Sequence, residues 1–265
     1  MLESRLHYED GVYSIDQEDL EEKLADPQTS MLILCNPHNP VGKIWDRETL
    51  ERIGELCFKH HVLVLSDEIH CDITRPGMEY IPFASVSEHC KNNSITCVAP
   101  TKTFNLAGLQ TAAVIVPDAA LRHRVNRGLN TDEVAEPNVF AAIAPIAAFD
   151  RGREWLEELR EYLWENRKFA EDFIREEIPE LRTVSADATY LLWIDCNALP
   201  GDLSELAEFI RKESGLYVCD GREYGNGYGF LRMNLACRRE LLKEGLERLK
   251  RSIHSYRKGI SNGII

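Results

Sequence analysis

Three short apolar runs, each followed by a polar loop, constrain the fold of this chain more than any other feature. Met31–Cys35, residues 62–65 and Ser94–Val98 each have the length of a buried strand. A helix-like segment that Asp46 can cap separates the first run from the second. Strand, helix and strand joined by short connections predict an α/β fold with a mostly parallel sheet, right-handed crossovers and flanking helices.

Each of these runs is followed by one residue whose side chain could bind a ligand or take part in catalysis. Asn39 follows the first run, Asp67 the second and Lys102 the third. Because ligands of open α/β sheets bind beyond the carboxyl ends of the strands, the three side chains are expected to lie together. An amine, an amide and a carboxylate suit pyridoxal phosphate, whose aldehyde, ring hydroxyl and ring nitrogen they can serve in turn. Each residue alone has an ordinary explanation as a surface lysine, a turn or a helix cap, and their common placement favours the cofactor site.

Four segments carry a resemblance to a known family. They are Asn-Pro-His-Asn-Pro-Val-Gly at 36–42, Ser-Asp-Glu-Ile-His at 66–70, Pro-Thr-Lys-Thr-Phe-Asn-Leu-Ala-Gly-Leu at 100–109 and Phe-Leu-Arg-Met-Asn-Leu-Ala-Cys at 230–237. Together they resemble the class I/II aminotransferase-fold enzymes, which depend on pyridoxal phosphate and have fold type I. Within that family they most resemble the cystathionine β-lyase-like branch of carbon–sulfur β-lyases, which includes the maltose-regulon modulator type.

The resemblance assigns a role to each matching residue. It implies that Lys102 is the Schiff-base lysine, that Asp67 pairs with the pyridinium nitrogen and that Asn39 binds the ring hydroxyl. Arg232 is the implied clamp for the substrate α-carboxylate, since its planar fork binds both carboxylate oxygens.

Two further residues join the expected cofactor site. His70 is typical of the β-lyase-like branch and could reach the ring oxygen, although a neutral polar residue near a loop explains it equally well. Thr101 offers a hydroxyl to the cofactor phosphate. Many relatives have a phosphate-binding arginine several residues after the lysine, but residues 108–110 offer none, so the phosphate contacts stay open. Tyr190 and Tyr224 are interpreted as core aromatics rather than as part of the substrate channel.

The resemblance implies three candidate functions. The first is a carbon–sulfur β-lyase that converts cystathionine or a cysteine-type amino acid to a thiol, pyruvate and ammonia. The second is an aminotransferase of an L-amino acid. The third is a truncated, catalytically silent or regulatory member. The third candidate rests on the position of the Asn-Pro-His-Asn-Pro motif, which begins here at residue 36. In the family this motif follows a substantial N-terminal part. That part contains a glycine-containing phosphate loop and an aromatic residue that stacks on the cofactor.

The same resemblance implies how the chain is divided. Residues 1–150 are expected to form a large, N-terminally incomplete cofactor-binding domain. Residues 151–180 are expected to form a connecting helix and residues 181–265 a small α+β domain. Within the first part, residues 111–116 are predicted to run antiparallel to a neighbouring strand, because too few residues precede them for a helical crossover. Two helices are also predicted there: one over 118–128 that ends at glycine, and a buried, alanine-rich one over 136–149.

Composition limits the kinds of binding partner and the cellular compartment that can be expected for this chain. The formal net charge of −13 argues against a nucleic-acid partner that binds through phosphate contacts. No apolar run reaches membrane-spanning length and no secretory signal follows the first methionine, so a cytoplasmic location is expected. The eight cysteines form no C-x-x-C pair, which favours free thiols, and the histidines lack metal-ligand spacing, so no metal site is expected. The family resemblance implies a homodimer that acts on a small amino-acid substrate.

Overall fold

The computed structural model describes residues 1–262, which contain ten strands and nine α-helices. The strands are β1 (Leu6–Glu9), β2 (Val12–Ile15), β3 (Met31–Cys35), β4 (Leu63–Asp67), β5 (Ser94–Val98), β6 (Ala113–Ile115), β7 (Arg182–Thr183), β8 (Leu191–Asp195), β9 (Cys219–Asp220) and β10 (Phe230–Asn234). The helices are α1 (Gln17–Leu24), α2 (Arg47–Lys59), α3 (Glu88–Asn92), α4 (Pro100–Thr103), α5 (Ala119–Thr131), α6 (Phe140–Arg151), α7 (Arg153–Glu177), α8 (Leu206–Ser214) and α9 (Arg239–Ser261).

The first sheet has the strand order β3-β4-β5-β6. Its first three strands are parallel, and β6 runs antiparallel to β5, as predicted for residues 111–116. Two of the predicted runs coincide with β3 and β5. β4 continues to Asp67, so this carboxylate belongs to the end of a strand. The prediction of an α/β fold is therefore confirmed.

One face of the first sheet is covered by α2 and α3. Asp46 begins α2 by accepting the Thr49 amide at 2.8 Å, and the buried face of α2 includes Leu50 and Ile53. These side chains pack with Val64 of β4 in a single apolar cluster. Each such fully buried side chain stabilises the fold by roughly 1.5–3 kcal/mol. Because successive strand residues point to opposite faces, the other face of β3 presents Ile33, which is 63% exposed.

The second sheet is antiparallel, with the order β7-β8-β10-β9. Side chains from α7, α8 and α9 pack against it in a second cluster that includes Ile174, Leu192, Ile210 and Leu246. The division of the chain at residues 150 and 180 stays a prediction.

An N-terminal hairpin of β1 and β2, which the sequence analysis did not predict, packs on this second sheet. Tyr8 donates a hydrogen bond to the Asp195 carboxylate at 2.8 Å, and Trp193 donates one to the Tyr13 hydroxyl at 3.2 Å. The carbonyl of Gly11, in the turn of the hairpin, accepts the Ser185 amide at 2.9 Å. Residues near the start of the chain thus support the sheet that carries Arg232.

Two predicted helices differ from the structure. The helix predicted over 118–128 is α5, which Asp118 caps and which continues to Thr131. A helix-interior glycine costs only about 1 kcal/mol, which a continuing hydrogen-bond ladder offsets, so Gly128 does not end it. The helix predicted to be buried over 136–149 is α6, which begins only at Phe140. Its large apolar side chains are exposed; they are Phe140, Ile143, Ile146 and Phe149.

No α-helix within residues 1–262 combines the length and the apolar composition needed to cross a bilayer.

Candidate functional site

The carboxyl edge of the first sheet brings the predicted residues into one region. Asp67 ends β4, and His70 follows three residues later. Lys102 lies in α4, the single helical turn after β5. Asn39 lies in the turn after β3, which closes through a hydrogen bond from the Gly42 amide to the His38 carbonyl at 2.6 Å.

Asp67 stands in the middle of a row across the sheet. Cys35 of β3 and Cys97 of β5 are its register partners, so the three side chains share one face. One carboxylate oxygen of Asp67 accepts the Ile69 amide at 3.2 Å. Burial raises the pKa of the Cys35 thiol to about 11, with the Asp67 charge as a smaller cause. No Lys, Arg or His nitrogen within residues 1–262 lies within 4.0 Å of the Asp67 carboxylate, so this half-buried carboxylate has no ion-pair partner among those residues.

Arg232 reaches this edge from the second sheet. Its Nη1 donates a hydrogen bond to the side-chain oxygen of Asn39 at 3.1 Å, and its Nη2 donates one to the Cys219 sulfur at 3.4 Å. The guanidinium also lies over the ring of Tyr224, with the carbon Cζ 4.4 Å from the ring centroid. The structure therefore joins two motifs that are 193 residues apart in the chain.

His70 is buried beside these groups. Its side chain meets the edge of the Tyr190 ring, with the ring centroids 5.7 Å apart, and its Nδ1 has no hydrogen-bond partner within the described residues. Burial, and to a smaller extent the positive charges of Lys102 and Arg232, lowers the pKa of His70 to about 4. The imidazole is therefore neutral at physiological pH, and a buried nitrogen without a partner is available to a ligand.

The lysine-bearing turn is fixed by a neighbour of Lys102. Thr103 is buried and donates a hydrogen bond to the Asp72 carboxylate at 2.9 Å. The Asp72 carbonyl in turn accepts the Nε of Arg160, in α7, at 2.6 Å. Because the Thr103 hydroxyl is engaged here, Thr101, which is half-buried, is the better candidate to contact a phosphate.

The sequence analysis missed several residues that shape the site. Tyr224 packs against an apolar cluster that includes Trp193 and Phe230, in keeping with its interpretation as a core aromatic, and it also contacts Arg232 directly. Glu68 is buried and accepts hydrogen bonds from Ser66 and from the Phe83 amide, both at 3.0 Å. Burial raises the pKa of Glu68, and Tyr80 beside it donates a hydrogen bond to the Asn36 carbonyl at 2.9 Å. The motif Ser-Asp-Glu-Ile-His could have identified Glu68, but no local signal marks Tyr80.

The donor set fits pyridoxal phosphate. Arg232 donates to the side-chain oxygen of Asn39, and the Asn39 amide NH₂, which has no acceptor among the described residues, can donate to a ring oxygen. Asp67 has no cationic partner among the described residues, as a carboxylate that holds a pyridinium proton requires. His70 adds a nitrogen that has no hydrogen-bond partner within residues 1–262. These are the chemical groups that the cofactor needs around its ring.

Comparison with known proteins places this arrangement in a family. The model for aminotransferase class I and II matches residues 5–249. The chain belongs to this family.

Similar members of the class I/II aminotransferase family include lyases as well as aminotransferases. Cystathionine beta-lyase PatB from Bacillus subtilis is 42% identical over 254 residues, which are 96% of this chain and 66% of that protein. The structure of cystalysin from Treponema denticola, which contains a pyridoxal 5′-phosphate cofactor, aligns with a TM-score of 0.89 at 31% identity over 96% of this chain and 65% of that one. A pyridoxal-phosphate-bound putative aminotransferase from Clostridium difficile aligns with a TM-score of 0.91 at 40% identity over 94% and 65% of the two chains.

These matches confirm both the resemblance to the cystathionine β-lyase-like branch and the prediction of fold type I. The chain spans about two thirds of the length of these relatives.

Proposed function

We propose that this chain binds pyridoxal phosphate through Lys102 and acts as a carbon–sulfur β-lyase on cystathionine or a cysteine-type amino acid. The reaction consumes one water and releases a thiol, pyruvate and ammonia. The observation that carries the proposal is the meeting of Asn39, Asp67, His70 and Arg232 around the lysine-bearing turn. The relative named cystathionine beta-lyase PatB supports this reaction, and the cystalysin structure supports the cofactor.

Each residue has a distinct task in this proposal. Bound pyridoxal phosphate supplies an electron sink for the substrate Cα. Lys102 takes the Cα proton, and Asp67 keeps the ring nitrogen protonated by direct charge interaction. Asn39 and His70 bond the ring oxygen, and Arg232 binds the substrate carboxylate through its planar fork.

The phosphate is assigned to Thr101, whose hydroxyl lies one residue before the lysine. The Thr103 hydroxyl already donates to Asp72, so a Thr103→Val variant is expected mainly to lower the free energy of unfolding. A Thr101→Val variant is expected mainly to weaken cofactor binding. Fluorescence titration with pyridoxal phosphate, together with urea unfolding of both variants, measures the two effects separately.

The proposal is tested first through the cofactor bond. Purified protein saturated with pyridoxal phosphate is expected to show a visible absorption band, and borohydride followed by peptide mapping is expected to label Lys102. The Lys102→Ala variant should lose both signals, whereas Lys91→Ala, which removes an exposed lysine paired with Glu88, should keep them. Absence of the band in the unaltered chain would support the silent or regulatory alternative.

The second step separates lyase from aminotransferase. Incubation with L-cystathionine should give pyruvate without any added keto acid. Strict dependence on a keto-acid acceptor would instead identify an aminotransferase, the function that the putative aminotransferase from Clostridium difficile makes the second candidate.

We infer further that the chain forms a homodimer in the cytoplasm. The exposed apolar residues of α6 recur every three positions, so neighbouring members such as Ile143 and Ile146 lie side by side in one stripe that winds around the helix. An apolar stripe of this kind is typical of a subunit contact. All eight cysteines are free, which is consistent with a reducing compartment.

A further inference from the structure

The Arg232 guanidinium packs on an aromatic face in addition to making hydrogen bonds. Its Cζ lies 4.4 Å from the centroid of the Tyr224 ring, within the range of a cation–π contact. Burial raises the pKa of Tyr224 to about 12, so its hydroxyl is neutral at physiological pH. The contact is therefore an attraction between a cation and a ring face.

Tyr224 is itself held by a second aromatic residue. The Trp193 ring meets the Tyr224 ring edge to face, with the centroids 5.9 Å apart and the planes at 89°. Trp193 also stacks on Phe230, with the centroids 5.1 Å apart, and donates its Nε1 proton to Tyr13 of the N-terminal hairpin. A buried Trp fixed on two sides leaves the Tyr224 ring little freedom to turn.

The hydrogen bonds of Arg232 do not by themselves fix its plane. One nitrogen donates to Asn39 at 3.1 Å and another to the Cys219 sulfur at 3.4 Å, and sulfur is a weak acceptor. A flat ring beneath the guanidinium supplies the missing restraint, because cation and ring lie face to face only in a narrow range of orientations.

We propose that Tyr224, held by Trp193, is a positioning residue that orients Arg232 and thereby sets the affinity of the site for a substrate with a free α-carboxylate. This inference rests on the proposed function for the role of Arg232. The contact between the two side chains can be measured without a working enzyme.

The first test is structural and uses the cofactor-free chain. In a ¹⁵N-arginine NMR spectrum, the Arg232 Nε–H signal, assigned by its loss in Arg232→Lys, is expected to show an upfield ring-current shift. Tyr224→Phe keeps a ring and should retain the shift, whereas Tyr224→Leu should lose it. Tyr217→Leu is the matched control, because it removes an exposed ring 5.7 Å from a different arginine, Arg211, and should leave the signal unchanged.

The second test uses the cofactor-loaded protein. Tyr224→Leu should raise KM for L-cystathionine about tenfold while changing kcat less than about twofold, since the lost restraint acts on carboxylate binding. Tyr224→Phe should behave like the unaltered protein. With a substrate whose α-carboxylate is masked as an amide, the two variants should have the same KM.

The outcomes separate the two proposals. Two results would overturn the positioning role. One is an Arg232 signal that does not change in Tyr224→Leu, and the other is a fall in kcat that is equal in Tyr224→Phe and Tyr224→Leu. A chain that lacks lyase activity but shows the ring-dependent shift would refute the proposed function and leave the contact established. If Tyr224→Leu does not fold, Tyr224→Met, which retains an apolar chain without a ring, gives the same comparison.

Discussion

Gly42 is the point where the Asn39 turn meets the second half of the chain, and a Gly42→Ala substitution tests that contact. Gly42 has φ +78°, and its carbonyl accepts the amides of Asp187 and Ala188 at 2.8 and 2.9 Å. A Cβ at this position would lie 2.6 Å from the Ala188 carbonyl oxygen and 2.8 Å from the Ala186 Cβ. The substitution therefore adds both a strained backbone angle and a steric clash.

The two costs can be separated with Gly77. Gly77 also has φ +78°, but a Cβ built there meets no atom within 4 Å. Gly77→Ala should therefore cost only the backbone term, about 1 kcal/mol. Gly42→Ala adds overpacking against backbone, which costs about 2 kcal/mol more, so its total loss should be about 3 kcal/mol.

Urea unfolding followed by circular dichroism measures both variants against the unaltered chain. Gly42→Ala should lower the unfolding midpoint clearly more than Gly77→Ala does, with the same slope. Pyridoxal phosphate titration should also weaken only in Gly42→Ala, because the clash displaces the turn that carries Asn39. Equal stability losses within about 0.5 kcal/mol would refute the close approach of the turn to residues 186–188.

Two further predictions follow from burial and exposure. Since burial and nearby cations lower the pKa of His70 from 6.5 to about 4, the unfolded chain takes up the proton first, and stability should fall as pH decreases from about 6.5 to 4. Between pH 7 and 4.5, the free energy of unfolding of His70→Gln, measured by urea titration, should fall by about 2.5 kcal/mol less than that of the unaltered chain. Identical pH profiles for the two proteins would contradict this prediction. The double variant Ile143→Glu, Ile146→Glu should weaken self-association in sedimentation velocity, whereas Leu241→Glu on α9 should not; a monomeric unaltered chain at tens of micromolar would exclude the dimer.

The strands of the first sheet could be predicted because their signals are local. Met31–Cys35 and Ser94–Val98 are apolar runs of strand length, and each coincides with a strand. The placement of Asp67 and Lys102 at one edge then follows from parallel strand order alone. Nothing about side-chain contacts was needed for that step.

The N-terminal hairpin was missed although its signal is present. Asp10 and Gly11 form a two-residue turn between alternating residues, with φ of +50° and +82°. Asp-Gly in this setting favours a hairpin turn with left-handed backbone angles. The contact of the hairpin with Trp193, about 180 residues away, has no comparable local signal, because it depends on how the two sheets pack.

The contacts around Arg232 show the same limit. The motif predicted that Arg232 would bind a carboxylate, but its partners Asn39 and Cys219 come from separate loops and strands. Tyr224 lies only eight residues before Arg232, and the glycine-rich loop between them has no periodicity that would predict the direction of its ring. A site residue within a recognisable sequence motif, such as Arg232, could therefore be predicted. A residue whose contact depends on the conformation of a loop, such as Tyr224, could not.

The exposed stripe of α6 shows that an apolar sequence pattern does not by itself indicate where in the structure the side chains are buried. Residues 136–149 were predicted to be buried because they are rich in apolar side chains, and such a pattern indicates burial without indicating which surface provides it. Phe140, Ile143 and Ile146 span one side of α6 and are each between 60% and 65% exposed. Burying these three side chains would yield about 4 kcal/mol per protomer, or about 8 kcal/mol across a two-fold contact. Association costs roughly 4–15 kcal/mol before any net affinity results. The stripe alone is therefore close to break-even, and a stable dimer needs neighbouring apolar surface such as Val139, which is 75% exposed beside it.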